Sequence, residues 1–163
     1  MDGSSLLVPL IGALYTAPGS IDRWQEFLSA LCDALDGTAA SFISHDLIAK
    51  TGGVAVTARA DRAALEAYLS HWIHVDPWAH SSRSGSLAEG TVVLGEHVIS
   101  RTALKRTAFY NDFSRHYDIA QCVVSVVESS AGALSGFSIN RSDSAAPFDA
   151  DDVALLDALM PHL

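Results

Sequence analysis

Gln121-Cys122-Val123-Val124-Ser125-Val126-Val127-Glu128, then Ser129-Ser130-Ala131-Gly132, then Ala133-Leu134-Ser135-Gly136-Phe137-Ser138-Ile139-Asn140-Arg141, is the stretch from which the fold can be read. The two outer runs are rich in Val, Ile and Phe, which suit a pleated, extended backbone. The small and polar quartet between them suits a tight reversal, so the pair predicts a β-hairpin. Strands joined so closely must pair antiparallel.

Toward the N-terminus a second pair of strands is expected. Ala39 to His45 reads as one strand, Gly52-Gly53 as the turn, and Val54–Ala58 as the other strand. Gly90–Val98 has room for a short edge strand, and Ser81 to Gly90, small and polar, reads as a surface loop. Helices fill the rest. Leu6–Tyr15 reads as an amphipathic first helix suited to a dimer contact, with Pro18-Gly19-Ser20 as a break and cap. Ile21, Trp24, Phe27, Leu28, Leu31 and Leu35 then share one helical face, closed by Gly37. Asp61 can cap a third helix whose buried stripe would be Leu65, Tyr68, Leu69, Trp72 and Ile73, ending at Asp76-Pro77. Ser100 can cap a fourth, carrying Leu104, Ala108 and the aromatic set Phe109, Tyr110 and Phe113.

The last helix opens on Asp149, with Asp151 and Asp152 at the positive end of its dipole and Phe148 and Val153 placed as a hydrophobic staple. Val153, Leu156, Leu159 and Leu163 keep helical spacing, and only Pro161 interrupts the run. It is expected to continue into a further domain. This order predicts an α+β fold: a single domain over residues 1–163, with an antiparallel sheet of about five strands, hairpins at both of its ends, and helices packed over it. One face of such a sheet serves the core and the other can line a ligand pocket.

Composition narrows the function. The chain has 163 residues with 10 Lys and Arg against 19 Asp and Glu, a formal charge of −9. With no basic run or stripe, these residues are poorly suited to holding nucleic acid. The apolar run Leu6 to Tyr15 is too short to span a bilayer and lacks the basic flank of a signal peptide, so a cytoplasmic protein is expected. Cys32 and Cys122 lie far apart within apolar patterns, as buried free thiols do. No nucleophile elbow, phosphate loop or paired CxxC is present, and Ser44-His45-Asp46 is adjacent only in sequence, so an enzyme is not expected.

The stretch His71-Trp72-Ile73-His74-Val75-Asp76-Pro77-Trp78-Ala79-His80 is the densest in chemistry. His71 and His74, with Asp76 or His80, could supply three ligands to a metal or haem; the alternative is capping and surface histidines. Asp76 could bond its own turn or accept a hydrogen bond from a ligand amide. Tyr68, Trp72 and Trp78 could be core or could floor a pocket. Asn111 and Asp112 could cap a short helix or bind a loop backbone.

Phe109-Tyr110-Asn111-Asp112-Phe113, Phe137-Ser138-Ile139-Asn140-Arg141, Pro147-Phe148 with Asp151 and Leu155-Leu156, and Leu159-Met160-Pro161-His162-Leu163 together resemble the N-terminal sensory region of LuxR-type helix-turn-helix transcription regulators. Asp76-Pro77 fits the same pattern, and the match is best over Trp72 to Leu163. The resemblance implies a PAS- or GAF-like sensor domain, a homodimer, and control of a C-terminal DNA-binding domain absent from this chain. It names no cofactor and no ligand. Relatives that bind an acyl-homoserine lactone place aromatic residues near an Asp-Pro pair, a pattern that Tyr68, Trp72 and Asp76 match loosely. The pocket-lining set expected for a small-molecule effector is therefore Tyr68, Trp72, Asp76, Trp78 and Phe137. Two other outcomes stay open. One is a stand-alone metal, haem or small-molecule module. The other is a ligand-free interaction domain packed solid by Trp24, Phe27, Phe42, Trp72, Phe113 and Phe137.

Overall fold

A computed structural model describes residues 3–46, 48–49, 51–82, 88–130 and 132–163. Among them β1 (Ala39–Asp46), β2 (Thr51–Ala58), β3 (Val92–Leu94), β4 (Gln121–Ser129) and β5 (Ala133–Arg141) form one antiparallel sheet, ordered β2-β1-β5-β4-β3. The hairpin read from 121–141 is present, its turn tied by Ser130 Oγ, which accepts from the Ala133 amide at 3.1 Å. The expectation of a hairpin at each end is only half met. β1 and β2 make one end, but β5 lies at the centre and the three-residue β3 is the far edge. The short edge strand expected within Gly90–Val98 is β3, after which the chain turns at Gly95 into a short helix.

Gly52-Gly53 is not the first turn. Both residues are inside β2, with Gly53 opposite Ser44. A Cβ on Gly53 would lie 2.9 Å from Leu69 Cδ2, so the glycine admits a neighbouring side chain rather than reversing the chain. The chain passes from β1 to β2 between Asp46 and Thr51, where 47 and 50 lie outside the described residues.

Three helices cover one face of the sheet: α1 (Gly3–Thr16), α2 (Ile21–Ala34) and α7 (Ala150–Leu159). Leu10 and Leu14, then Phe27, Leu28, Leu31 and Leu35, then Leu155, Leu156 and Leu159 meet Val123, Phe137 and Ile139 of the sheet in a single core. Ser20 and Asp149 cap α2 and α7 as the sequence indicates, and Asp152 completes a reciprocal capping box with Asp149. After α2 the left-handed residue is Asp36, at φ 49°, not Gly37. Gly37 is needed for clearance, since a Cβ there would stand 2.7 Å from Ile139 Cγ2.

Arg141 joins these parts at the end of β5. Its guanidinium donates to Leu35 O at 2.7 Å, to Ala146 O at 3.3 Å and to Asp152 Oδ1 at 2.9 Å, and stacks 3.9 Å above the Phe148 ring. Arg141 is 5% exposed, so this is a buried charge with a hydrogen bond from each of its three nitrogens. It fixes the start of α7 to the sheet and to the end of α2.

The opposite face is covered by α3 (Arg62–Ser70), α4 (Pro77–Ser82), α5 (Gly95–Val98), α6 (Arg101–Leu104) and the turns between them. Asp61 caps α3 through the Ala63 and Ala64 amides. α3 stops at Ser70, and Trp72–His74 forms a separate 3-10 turn, so Leu69 is left 42% exposed rather than buried. Ser81 and Ser82, expected in a loop, finish α4, while 83–87 lie outside the described residues. Phe109–Phe113 is a single π-helical turn followed by a 3-10 turn, Ser114–Tyr117. Asn111 holds the entry to it, donating to Lys105 O and Thr107 O at 2.9 Å each.

Candidate ligand-binding site

Side chains on a strand alternate between faces. In β5, Phe137 and Ile139 point into the packed core. Gly136, Ser138 and Asn140 point the other way, as do Cys122, Val124 and Val126 of β4 and Ser41 and Ile43 of β1. Together they floor a cavity of about 140 Å³. Its roof comes from Ala64, Leu65 and Tyr68 of α3, from Asp76 and Trp78 at the start of α4, and from Phe109 and Phe113 of the π-helical turn.

Asp76 is the charged group of this wall and is only 6% exposed. Pro77 starts α4, and Asp76 caps it: Oδ1 accepts the Trp78 amide at 2.8 Å and the Ala79 amide at 3.4 Å. Oδ2 accepts the Tyr68 hydroxyl at 2.9 Å. The two readings of Asp76 are therefore compatible. The carboxylate organises its own turn while lying in the cavity wall.

The aromatic rings form a continuous layer behind it. Trp78 meets Phe109 edge-on at 5.9 Å, Phe109 leans on Phe113 at 5.5 Å, and Tyr68 stacks on Phe113 at 6.1 Å. The Trp78 indole lies over Gly95, where an added Cβ would be 2.7 Å from Nε1 and 2.9 Å from the Cys122 carbonyl. Gly95 thus sets how far Trp78 can advance over the sheet.

Of the five residues expected to line a pocket, Tyr68, Asp76 and Trp78 line this one. Trp72 stands behind it, stacked on Phe113 at 5.4 Å. Phe137 is on the wrong face for it. Its ring packs against Phe42 at 5.0 Å, Phe27 at 5.5 Å and Trp24 at 5.9 Å beneath α2. The six rings proposed to fill one solid interior are divided by the sheet, four on one side and Trp72 and Phe113 on the other. Sequence reasoning did not find the floor, Ser41, Gly136, Ser138 and Asn140. Its signal is the small and polar residues recurring at every second position of β5 (136, 138, 140) within a strand buried on both faces.

Cys122 lies in the floor as a neutral thiol. Burial pushes its pKa up to about 12; a 3.4 Å contact with Ser138 Oγ opposes the rise, and the nearby Asp76 charge adds to it. It offers polarisable surface rather than a nucleophile. Among the described residues the histidines of 71–80 do not converge on one another. His71 is exposed and edge-on to Trp72, His74 is exposed, and the side chain of His80 lies outside the described residues. Among the described residues no three His, Cys, Asp or Glu converge as metal ligands.

The architecture is an α+β fold with one sheet face packed and the other set back from its helices around an apolar chamber with a polar wall. Solved structures share the fold. The ligand-binding domain of VqsR from Pseudomonas aeruginosa aligns over 94% of this chain and 88% of its own, with a TM-score of 0.73 at 17% identity. CepR2 from Burkholderia cenocepacia, an N-acylhomoserine-lactone-dependent LuxR-family transcription factor, aligns over 98% and 89%, with a TM-score of 0.69 at 18% identity. A GAF domain of a Coxiella burnetii phosphoenolpyruvate-protein phosphotransferase follows at 0.58 and 14%, covering 99% and 90%. No protein-family model matches the sequence, and no curated protein matches it significantly. The fold is thus the one shared by LuxR-type ligand-binding domains and GAF domains, as the short motifs indicated.

Proposed function

We propose that this chain is the ligand-sensing and dimerising input domain of a cytoplasmic bacterial LuxR-type regulator, acting on a C-terminal DNA-binding domain outside these residues. The observation that carries the proposal is the chamber between the sheet and the π-helical turn, with the Asp76–Tyr68 pair in its wall. Its chemistry suits a small amphiphile. A donor on the polar head, an amide N–H or a hydroxyl, would meet the Asp76 carboxylate, and Trp78 would cover the head. The apolar portion would lie along Val124, Val126, Ile43 and Val54. N-Acylhomoserine lactones, on which CepR2 depends, have this layout.

Signalling requires that the ligand favour one arrangement of the domain over another. β5 is the natural relay, since its alternate residues touch the chamber and the packed core, and Arg141 at its end holds α7. α1 supports the dimer, with Val8 72% and Tyr15 65% exposed on an otherwise apolar helix. The ligand-free reading has the chamber against it.

Native mass spectrometry of the purified domain, with and without N-octanoyl homoserine lactone, tests the proposal. The expected result is a dimer carrying extra mass that is lost on denaturation. A ligand at a hundred times its Kd should also stabilise the fold by about 2.7 kcal/mol, which raises Tm by a few degrees. A bare monomer whose Tm the lactone and related acyl amides leave unmoved would remove the sensing and dimer readings together.

A further inference from the structure

The strand register sorts the chamber floor into three cross-strand rows. Cys122, Asn140 and Ala39 form the first, Val93, Val124, Ser138 and Ser41 the second, and Val126, Gly136, Ile43 and Val54 the third. Asn140 and Gly136 place the first and third rows about 13 Å apart along β5. The third row carries no polar side chain. A chain laid along Val124, Val126, Ile43 and Val54 therefore has its polar head at the first row.

Asp76 belongs to that same end. It accepts the Trp78 amide at 2.8 Å, and the Trp78 indole shares the space above Gly95 with the Cys122 carbonyl. The Cys122 thiol, raised chiefly by burial, is raised further by the Asp76 charge. Asp76 comes from the roof and Asn140, the cross-strand partner of Cys122, from the floor.

The polar floor residues differ in how they are engaged. Ser41 donates to Thr57 Oγ1 at 3.4 Å, and Ser138 Oγ lies 3.4 Å from Cys122 Sγ. The Asn140 backbone carbonyl accepts from the Thr38 amide and hydroxyl, at 2.8 and 3.2 Å. Its side-chain carboxamide, by contrast, makes no hydrogen bond among the described residues. Two donors and an acceptor are thus unengaged beside a largely apolar space. A ligand that covers them without a matching group binds more weakly for it.

A secondary amide matches both walls. It is planar and trans, so its N–H and C=O point in opposite directions. An N–H that meets the Asp76 carboxylate in the roof turns the C=O toward the floor.

We infer that Asn140 is a ligand-binding residue, donating from its carboxamide to the carbonyl of an amide whose N–H is held by Asp76. The ligand is gripped on both sides of its amide, and its chain runs from the first row toward the third. Asn140 thereby distinguishes an amide from a head that offers a donor alone. This inference rests on the reading of the chamber as a small-molecule site.

Octanoyl ethanolamide and its thioamide analogue test it. The two share head, chain and N–H, and differ only in oxygen or sulfur as the acceptor, sulfur being the weaker. Calorimetric titration of the 163-residue chain should find the oxygen form about tenfold tighter. That advantage should fall to near parity in Asn140→Leu, which keeps the side-chain shape and removes the donors. The smaller Asn140→Ala should do the same, with unchanged circular dichroism as the folding control for both. If the oxygen-to-sulfur ratio is the same in the unmodified chain and in the variants, the Asn140 contact is overturned and the chamber stands. If neither probe binds the unmodified chain, the contact and the chamber reading are overturned together.

Discussion

The two faces of the sheet are built from the same kinds of residue to opposite ends. On the packed face Trp24, Phe27, Phe42 and Phe137 meet at 5.0 to 6.0 Å and fill the space beneath α2. On the chamber face Trp72, Trp78, Phe109 and Phe113 also cluster, at 5.4 to 6.3 Å, yet leave a cavity. The difference lies in the strands. The packed face offers the helices Val123, Phe137 and Ile139, whereas the chamber face offers Ala39, Ser41, Gly136 and Ser138. Between Ile43, Val124 and Val126, the aromatic roof meets only the small Ser41, Gly136 and Ser138. A chamber arises here by subtraction from the floor.

If that contrast is right, substitutions on the two faces should separate stability from binding. The largest effect is expected for Phe137→Ala, which removes a ring that is 2% exposed and has three aromatic neighbours. Chemical denaturation should show a loss of about 3–5 kcal/mol. A loss below about 1 kcal/mol would mean that the packed face is not packed.

Gly95→Ala probes the chamber face. The new methyl must displace the Trp78 indole or the Cys122 carbonyl, an overpacking that should destabilise by about 1–3 kcal/mol. It should also change the near-ultraviolet signal of Trp78. An unchanged spectrum would show that Gly95 does not set the position of that ring.

Asp76→Asn should have a smaller effect on the fold, below about 1 kcal/mol, since asparagine can still cap α4. Affinity for an amide-headed ligand should nevertheless fall about tenfold to a hundredfold, because a charge-assisted hydrogen bond is lost. Equal affinity in calorimetry, with the fold intact, would return Asp76 to a purely local role.

The two thiols compare the faces most gently. Burial holds Cys32 up at about 11 and Cys122 up at about 12, so at mildly alkaline pH neither should react with iodoacetamide in the native state. Under rising urea Cys122 should be alkylated before Cys32, as the loosely filled side opens first. Simultaneous labelling would mean that the two faces come apart as one.

The same contrast explains what was legible in the sequence. Hairpins, caps and helices were readable because their signals are local: Ser20, Asp61, Ser100 and Asp149 all cap where their neighbours require. The face that each strand residue chooses was not readable. A sheet covered on both sides loses its apolar–polar alternation, and Val123 and Val124 look alike in the sequence although they point opposite ways. Phe137 was placed in the chamber for that reason. Tyr68, Asp76 and Trp78 were found because an aromatic–Asp-Pro–Trp cluster is chemically distinctive, whereas Ser138 and Asn140 acquire meaning only from their cross-strand row. Gly53 misled in the same manner, since a glycine required for a neighbour's approach looks identical to one required for a turn.

The central position of β5 has a further consequence, for the order in which the molecule comes into being. The β1–β2 hairpin can close early, but the edge it offers is met only by β5; Thr38 and its partner Asn140 are 102 residues apart in sequence. Contacts so distant along the chain form late and slow the whole reaction. During synthesis the first two strands wait, with an unpaired edge, until the ribosome has delivered the last one. The chamber floor is completed in that same step, so the chamber exists only in a nearly finished chain.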